Sequence, residues 1–288
     1  NENADPQITI VYYTDPYCTW CWGSEPILKR IKEEYGDQVK ITYRMGGLVE
    51  DIDKFYDPLN RIGGERWAEQ AAAHWLDASR RHGMPVDVKV FEEIKGTFKS
   101  TYPANIAYKA AQFHGEELAE RFLRRMREAV ATERKHIHKK EVLVELAREV
   151  GLDPERFSKD FDTRAKKAFY KDLEECRRFG VTGFPTFRIR SRKGKEILKV
   201  GYTSFDEFVK IFEELTEGEL NKIELEATDE NIMAFIGKYG RIATREIAEV
   251  FRMSSMEVIR RLKELESRGE VVKTKAGNGH FWSLAKKT

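Results

Sequence analysis

The stretch "YYTDPYCTWCWGSEP", residues 12–26, decides how this chain is read. A β-branched and aromatic run, "QITIVYY" (7–13), leads into it and Asp15-Pro16 breaks that run. Two cysteines three positions apart then precede a helical pattern. In "EPILKRIKEEYG" the apolar residues Ile27, Leu28, Ile31 and Tyr35 recur at helical spacing, and Gly36 supplies a stop. "QVKITYRM" (38–45) alternates Val39, Ile41 and Tyr43 and predicts a second strand. Strand, helix and strand of these lengths make a βαβ unit with a right-handed crossover, and the cysteine pair sits where its helix begins.

Outward from that unit the pattern is helical from Gly63 to about Arg178. Breaks fall near Gly83-Met84-Pro85, Gly115 and Gly151-Leu152-Asp153-Pro154, so that five or six helices fit. "PTFRIR", a turn at Lys193-Gly194 and "EILKVGY" predict a hairpin, and "SFDEFVKIFEEL" a helix with Ser204 as N-cap. The order β-α-β, helical insert, α, β-β-α is that of an α/β, thioredoxin-like sheet interrupted by a helical cap. The polar segment 216–230 reads as a linker. Beyond it come three helices and a hairpin around Gly277-Asn278-Gly279, the outline of a winged helix. The predicted organisation is a thioredoxin-like domain over 1–217 with its insert at about 63–166, a linker over 218–228, and a winged helix over 229–288.

The chain has 288 residues, 35% of them charged, and no run of twenty apolar residues, which excludes a membrane-spanning helix. Its first residues show no signal-peptide pattern, and three cysteines do not make a disulfide scaffold, so the expected location is the reducing cytoplasm. The net charge of +2 is uneven. Residues 228–288 carry twelve Lys/Arg against eight Asp/Glu, a surplus of +4, which leaves −2 for the remainder. That tail is where an anionic partner would bind.

A Cys-x-x-Cys pair can be half of a zinc site, two buried thiols or a redox dithiol. No second pair exists to complete a zinc site, and His136 and His138 lie in the basic run "ERKHIHKKE", so no metal is expected. At a helix start the two thiols share a face and a disulfide-compatible separation, and the dipole favours a thiolate on the first. Cys18 is then the attacking thiol and Cys21 the resolving one. Trp20 and Trp22 could form an apolar rim for an unfolded substrate, although Trp22 could equally pack the helix on the sheet. Glu25, four residues after Cys21, could relay protons or be a solvated carboxylate. Cys176 could be a third redox thiol or a small core residue.

In "DPYCTWCWG", "YRMGGL", "EVLVELAREVGLDPERF" and "GVTGFPTF" the chain resembles thioredoxin-fold oxidoreductases of the DsbA type, within them the FrnE-like, predicted protein-disulfide isomerase branch. The resemblance covers about residues 7–217. It implies a cis Pro185, with Phe184 and Pro185 facing Cys18 and pairing with an extended substrate, whereas the residues alone allow a trans proline. It also implies polypeptide partners bearing thiols or disulfides, a redox partner, and no cofactor. Thr19-Trp20 departs from the commoner dipeptides, so no basic side chain inside the motif assists the thiolate. Glutathione-dependent isomerases of this fold resemble a Ser at the first position, and Cys18 argues against them. The "DP-C-x-x-CW" opening is also similar to that of SpxH-type protease adaptors.

The tail resembles the winged helix-turn-helix of transcriptional regulators. Arg252, Arg260 and Arg261 would lie on or beside its recognition helix, with Lys273 and Lys275 on the wing, as candidate DNA contacts. Acidic Glu257 and Glu264 dilute that face, and protein docking or homodimer formation are its other uses. The leading expectation is a cytoplasmic thiol-disulfide oxidoreductase acting on protein disulfides. A redox-sensing DNA-binding regulator and a protease or chaperone adaptor stand beside it.

Overall fold

The computed structural model describes residues 5–287; residues 1–4 and 288, the outermost of the two expected domains, lie outside the described ones. β1 (Ile8–Thr14) leads through α1 (Thr19–Trp22) and α2 (Glu25–Tyr35) to β2 (Val39–Met45). A two-residue hairpin, β3 (Tyr56–Asp57) and β4 (Ile62–Gly63), precedes α3 (Trp67–His82), α4 (Val90–Ile94), α5 (Tyr102–Gln112) and α6 (Glu116–Thr132). Then come α7 (Lys140–Glu149), α8 (Pro154–Asp162) and α9 (Arg164–Arg178), and the chain returns as β5 (Thr186–Ser191), β6 (Glu196–Val200) and α10 (Phe205–Thr216).

The main sheet runs β2-β1-β5-β6, with β1 parallel to β2 and antiparallel to β5. This is a thioredoxin-like fold. Alternation along β1 sends Ile8, Ile10 and Tyr12 into the main core and Val11 and Tyr13 to the other face, where they meet Cys176. The register sets Tyr12 between Tyr43 and Phe187, and its ring lies 5.6 Å from the first and 4.8 Å from the second. Ser204 caps α10 in a capping box with Glu207.

Among the described residues seven helices, α3 to α9, occupy the span that reads as five or six. The five-residue α4 is among the additions, and α8 and α9 are divided at Thr163, which has ψ −92°. The helix after the cysteines is also interrupted, at Gly23-Ser24. His82 packs so closely there that a Cβ on Gly23 would lie 2.4 Å from its ring.

The C-terminal unit is a winged helix: α11 (Asp229–Tyr239), β7 (Ile242–Ala243), α12 (Thr244–Phe251), α13 (Ser255–Ser267), β8 (Val271–Ala276) and β9 (Gly279–Leu284). Its sheet has the order β7-β9-β8, and its own core includes Ile236, Ile247, Leu262, Leu265 and Trp282. It is docked on the thioredoxin unit. α12 packs against α2, and the wing turn meets the segment after α3, where Asn278 N–H donates to Val86 O (3.0 Å) and Val86 N–H to Asn278 Oδ1 (2.9 Å). The connecting segment is pinned as well, since Ile223 N–H donates to Glu34 O and Gln38 bonds Asn221.

Candidate functional site

β1 ends at Thr14, and Asp15 ties the turn that follows. Its carboxylate accepts from Tyr17 N–H, Leu48 N–H and Asn105 Nδ2, while Cys18 N–H donates to Asp15 O. Burial lifts the Asp15 pKa against the pull of these donors. Cys18 is the N-cap of α1, and its sulfur accepts the Cys21 N–H at 3.2 Å. Cys18 is 7% exposed and Cys21 fully covered, so Cys18 is the thiol nearer solvent.

Arg127 of α6, a residue the sequence reading did not single out, lines the same small void as Cys18. It is 2% exposed. One guanidinium nitrogen donates to Thr14 Oγ1 (2.5 Å), another to Glu25 Oε1 (2.9 Å), and Nε has no partner among the described residues. Burial pushes the Cys18 thiol well up, and its hydrogen bond with Cys21 holds the proton there. Burial also opposes charge on Cys21, but the bond from Cys18, the Arg127 charge and the hydroxyls of Thr14 and Tyr12 outweigh it and bring that thiol below its ordinary value.

Glu25 is not a solvated carboxylate. Its carboxylate is gripped by Lys29 (2.8 Å), Arg124 (3.2 Å) and Arg127, and these cations overcome burial and hold its pKa well below the usual carboxylate range. Trp22 is not a rim residue either. It is 2% exposed, its Nε1 donates to Pro85 O, and its ring meets Phe281 of β9 edge-on. Trp20 stays half-buried at the surface, between His82 and Tyr202. His82 is a second residue the sequence reading missed. Burial lowers its pKa to about 4, and its Nδ1 accepts Met84 N–H, so the neutral ring carries its proton on Nε2 and offers it to Thr19 Oγ1 (3.3 Å).

The Phe184–Pro185 peptide is cis. Tyr13 pairs with Thr186, which brings Pro185 to the same end of the sheet as the cysteine turn. Phe184 is half-buried on Gly46, where a Cβ would stand 2.0 Å from the ring, so the Gly-Gly after β2 makes room for it. Cys176 lies on the opposite face of the sheet from the dithiol, and burial pushes its pKa up to about 12. His136 pairs with Glu93 and His138 with Thr97.

On the winged helix only part of the expected basic face is free. Arg261 is held by Asp229 and Ala227 O, and Arg252, in the left-handed region at φ 55°, donates to Leu225 O. Both fasten the winged helix to the segment that leads into it. Arg260, Lys273 and Lys275 are exposed. The tip of the wing is occupied by the docking of Asn278.

Residues 12–210 match the family model described as Thioredoxin, well over half of the chain. The chain belongs to the thioredoxin family. Residues 225–271 match the model for a winged helix-turn-helix DNA-binding domain. This thioredoxin-family chain is 30% identical over 278 residues to the ClpXP adapter protein SpxH of Bacillus subtilis, covering 96% of this chain and 88% of that one. It is 29% identical over 280 residues to the ClpXP adapter protein SpxH of Halalkalibacterium halodurans, with the same coverages. Among solved structures, the cytosolic disulfide reductase DsbM from Pseudomonas aeruginosa shares the fold, with a TM-score of 0.56 at 24% identity over 72% of this chain and 98% of DsbM. Among the described residues no helix is long and apolar enough to cross a membrane.

Proposed function

We propose that this thioredoxin-family protein is an adaptor that presents protein clients to the ClpXP protease. The observation that carries the reading is the similarity to named ClpXP adapters across 96% of the chain, through the thioredoxin unit, the pinned connecting segment and the winged helix alike. A winged helix whose wing tip and two of its arginines are engaged within the chain suits protein docking better than duplex DNA, where phosphate contacts dominate affinity. The test adds the purified chain to ClpXP and ATP with proteins from the same cells. At least one protein is expected to disappear severalfold faster in its presence, and also with the Cys18→Ser, Cys21→Ser variant. No accelerated substrate would refute the reading.

A second activity is favoured by the dithiol and its buried cation: thiol-disulfide exchange at Cys18–Cys21. As the proton shifts to Cys21 along their shared hydrogen bond, the Cys18 thiolate attacks a sulfur of the partner disulfide and the other sulfur leaves as a thiolate. Cys21 then attacks Cys18, releasing the reduced partner and closing the Cys18–Cys21 disulfide, which a small-molecule dithiol reduces again. Pro185 and Phe184, at the same end of the sheet, and Trp20 would border the substrate. Multiple-turnover reduction of a model protein disulfide that vanishes in Cys18→Ser tests this, and equal turnover in the variant would refute it.

A further inference from the structure

A chain of buried ion pairs runs from the winged helix to the cysteines. Glu246, on the first turn of α12 and fully buried, accepts from Arg124 through both oxygens (2.7 and 2.8 Å), from Lys29 (2.8 Å) and from Ala243 N–H (2.9 Å). Arg124 and Lys29 both reach Glu25 Oε2, and Glu25 Oε1 accepts from Arg127. Arg127 lines the void beside Cys18 and holds Thr14, the last residue of the strand before the cysteine turn. Each link joins side chains largely withdrawn from water, where charges act on one another with little screening.

We propose that Glu246, contributed by the winged helix, is a positioning residue for the Cys18–Cys21 dithiol: it holds Arg124 and Lys29, and so sets how firmly Glu25 grips Arg127, the cation beside the sulfurs. The inference rests on the dithiol reading given above and adds its control by the second domain. With Glu246 in place, Lys29 is shared between Glu246 and Glu25, and Arg124 among Glu246, Glu25 and Glu128 (2.7 Å). Without its charge Lys29 falls wholly to Glu25 and Arg124 to Glu25 and Glu128, so that Glu25 is drawn away from Arg127 and the guanidinium is freed toward the sulfurs. Loss of a nearby negative charge acts in the same direction, so both effects favour the thiolate. The other titratable groups around the network are Glu128 on Arg124, itself paired with Arg241, Tyr12 against Arg127, Lys32 and Tyr43 beside Glu25, and Tyr239 beside Glu246. None of them is altered by the test. Because coupling is reciprocal, a change of charge on the dithiol must also alter how tightly the winged helix is held.

The experiment follows the ultraviolet absorbance of the thiolate against pH in the reduced full-length protein, which reports the macroscopic ionisation of the pair. Glu246→Gln, which keeps an acceptor for Ala243 N–H, is compared with Glu246→Asp and with Glu249→Gln. Glu249 is on the same helix and pairs with Arg30 of α2, outside the chain of contacts to Arg127. A unit charge acting through such a network shifts a titration by about half to one pH unit. The midpoint is expected to fall by that much in Glu246→Gln and to stay near wild type in the other two. An unchanged midpoint in Glu246→Gln, or an equal shift in Glu249→Gln, would overturn the proposal. A wild-type protein that forms no Cys18–Cys21 disulfide on oxidation would instead strike at the exchange reading, so the two failures are distinguishable.

Discussion

Replacing Gly277 by Ala tests whether the wing is part of the thioredoxin unit's surface. Gly277 has φ +54°, and a Cβ there would lie 2.1 Å from Val86 O and 2.3 Å from its carbon, where ordinary contact begins at 3.4 Å. The obstacle is backbone, so the hairpin tip must withdraw. The left-handed conformation costs an alanine about 1 kcal/mol. Withdrawal breaks three hydrogen bonds, Asn278 N–H to Val86 O, Val86 N–H to Asn278 Oδ1, and Asn278 Nδ2 to Ser79 Oγ, each contributing about 1 kcal/mol. The sum is about 4 kcal/mol against docking of the wing. Amide hydrogen exchange reads this directly, with protection at Val86 and Asn278 expected to drop roughly 100- to 1000-fold. Gly269→Ala is the control, since Gly269 has φ +73° and no atom within 4 Å of a Cβ, and carries only the conformational cost. Exchange at Val86 no faster in Gly277→Ala than in Gly269→Ala would refute the reasoning.

Arg127→Met removes the cation beside the dithiol while Glu25 keeps Lys29 and Arg124, so the thiolate midpoint should rise by about 1 to 2 units and alkylation of the pair slow about tenfold or more, read by iodoacetamide kinetics. Folding stability should fall as pH drops from 6.5 toward 4, because His82 is held at about 4 in the folded chain and the unfolded chain takes up that proton first. Its share is up to about 3 kcal/mol, present above 6.5 and lost by 4, and denaturant midpoints across that window should vary less in His82→Gln. Arg261→Ala should destabilise the winged helix by about 1 kcal/mol through loss of Asp229 and Ala227 O, seen as a lower melting temperature, and should leave any weak duplex affinity in a gel shift nearly unchanged.

The elements fixed by local pattern were legible in the sequence. Alternation in β1 and β5, the Ser204 cap and the three helices and hairpin of the winged helix all declare themselves within a dozen residues, and the order of elements then specifies the sheet. The partners of the dithiol were not. Arg127 comes from α6, more than a hundred residues from Cys18, in a run of charges that reads as a solvated helix face. One signal was present: Arg127 falls four residues after Leu123 and three before Val130, on the apolar stripe of α6, and a charge on such a stripe needs a buried partner. The alternatives left open for Glu25 and Trp22 could not be narrowed for the same reason in reverse. Their neighbours, Arg124 and Phe281, belong to segments whose proximity no local pattern encodes. The wing residues looked free because the turn at Gly277-Asn278-Gly279 explains itself as a hairpin without hinting at Val86.

The placement of Cys176 makes this chain its own unfolding reporter. With its thiol on the far face of the sheet, 4% exposed and pushed up to about 12, it is closed to reagents while α9 and β1 stay together. A thiol count on the native protein therefore omits Cys176, and the slow arrival of its equivalent clocks how often the sheet sheds its covering helix, with no label added to the molecule.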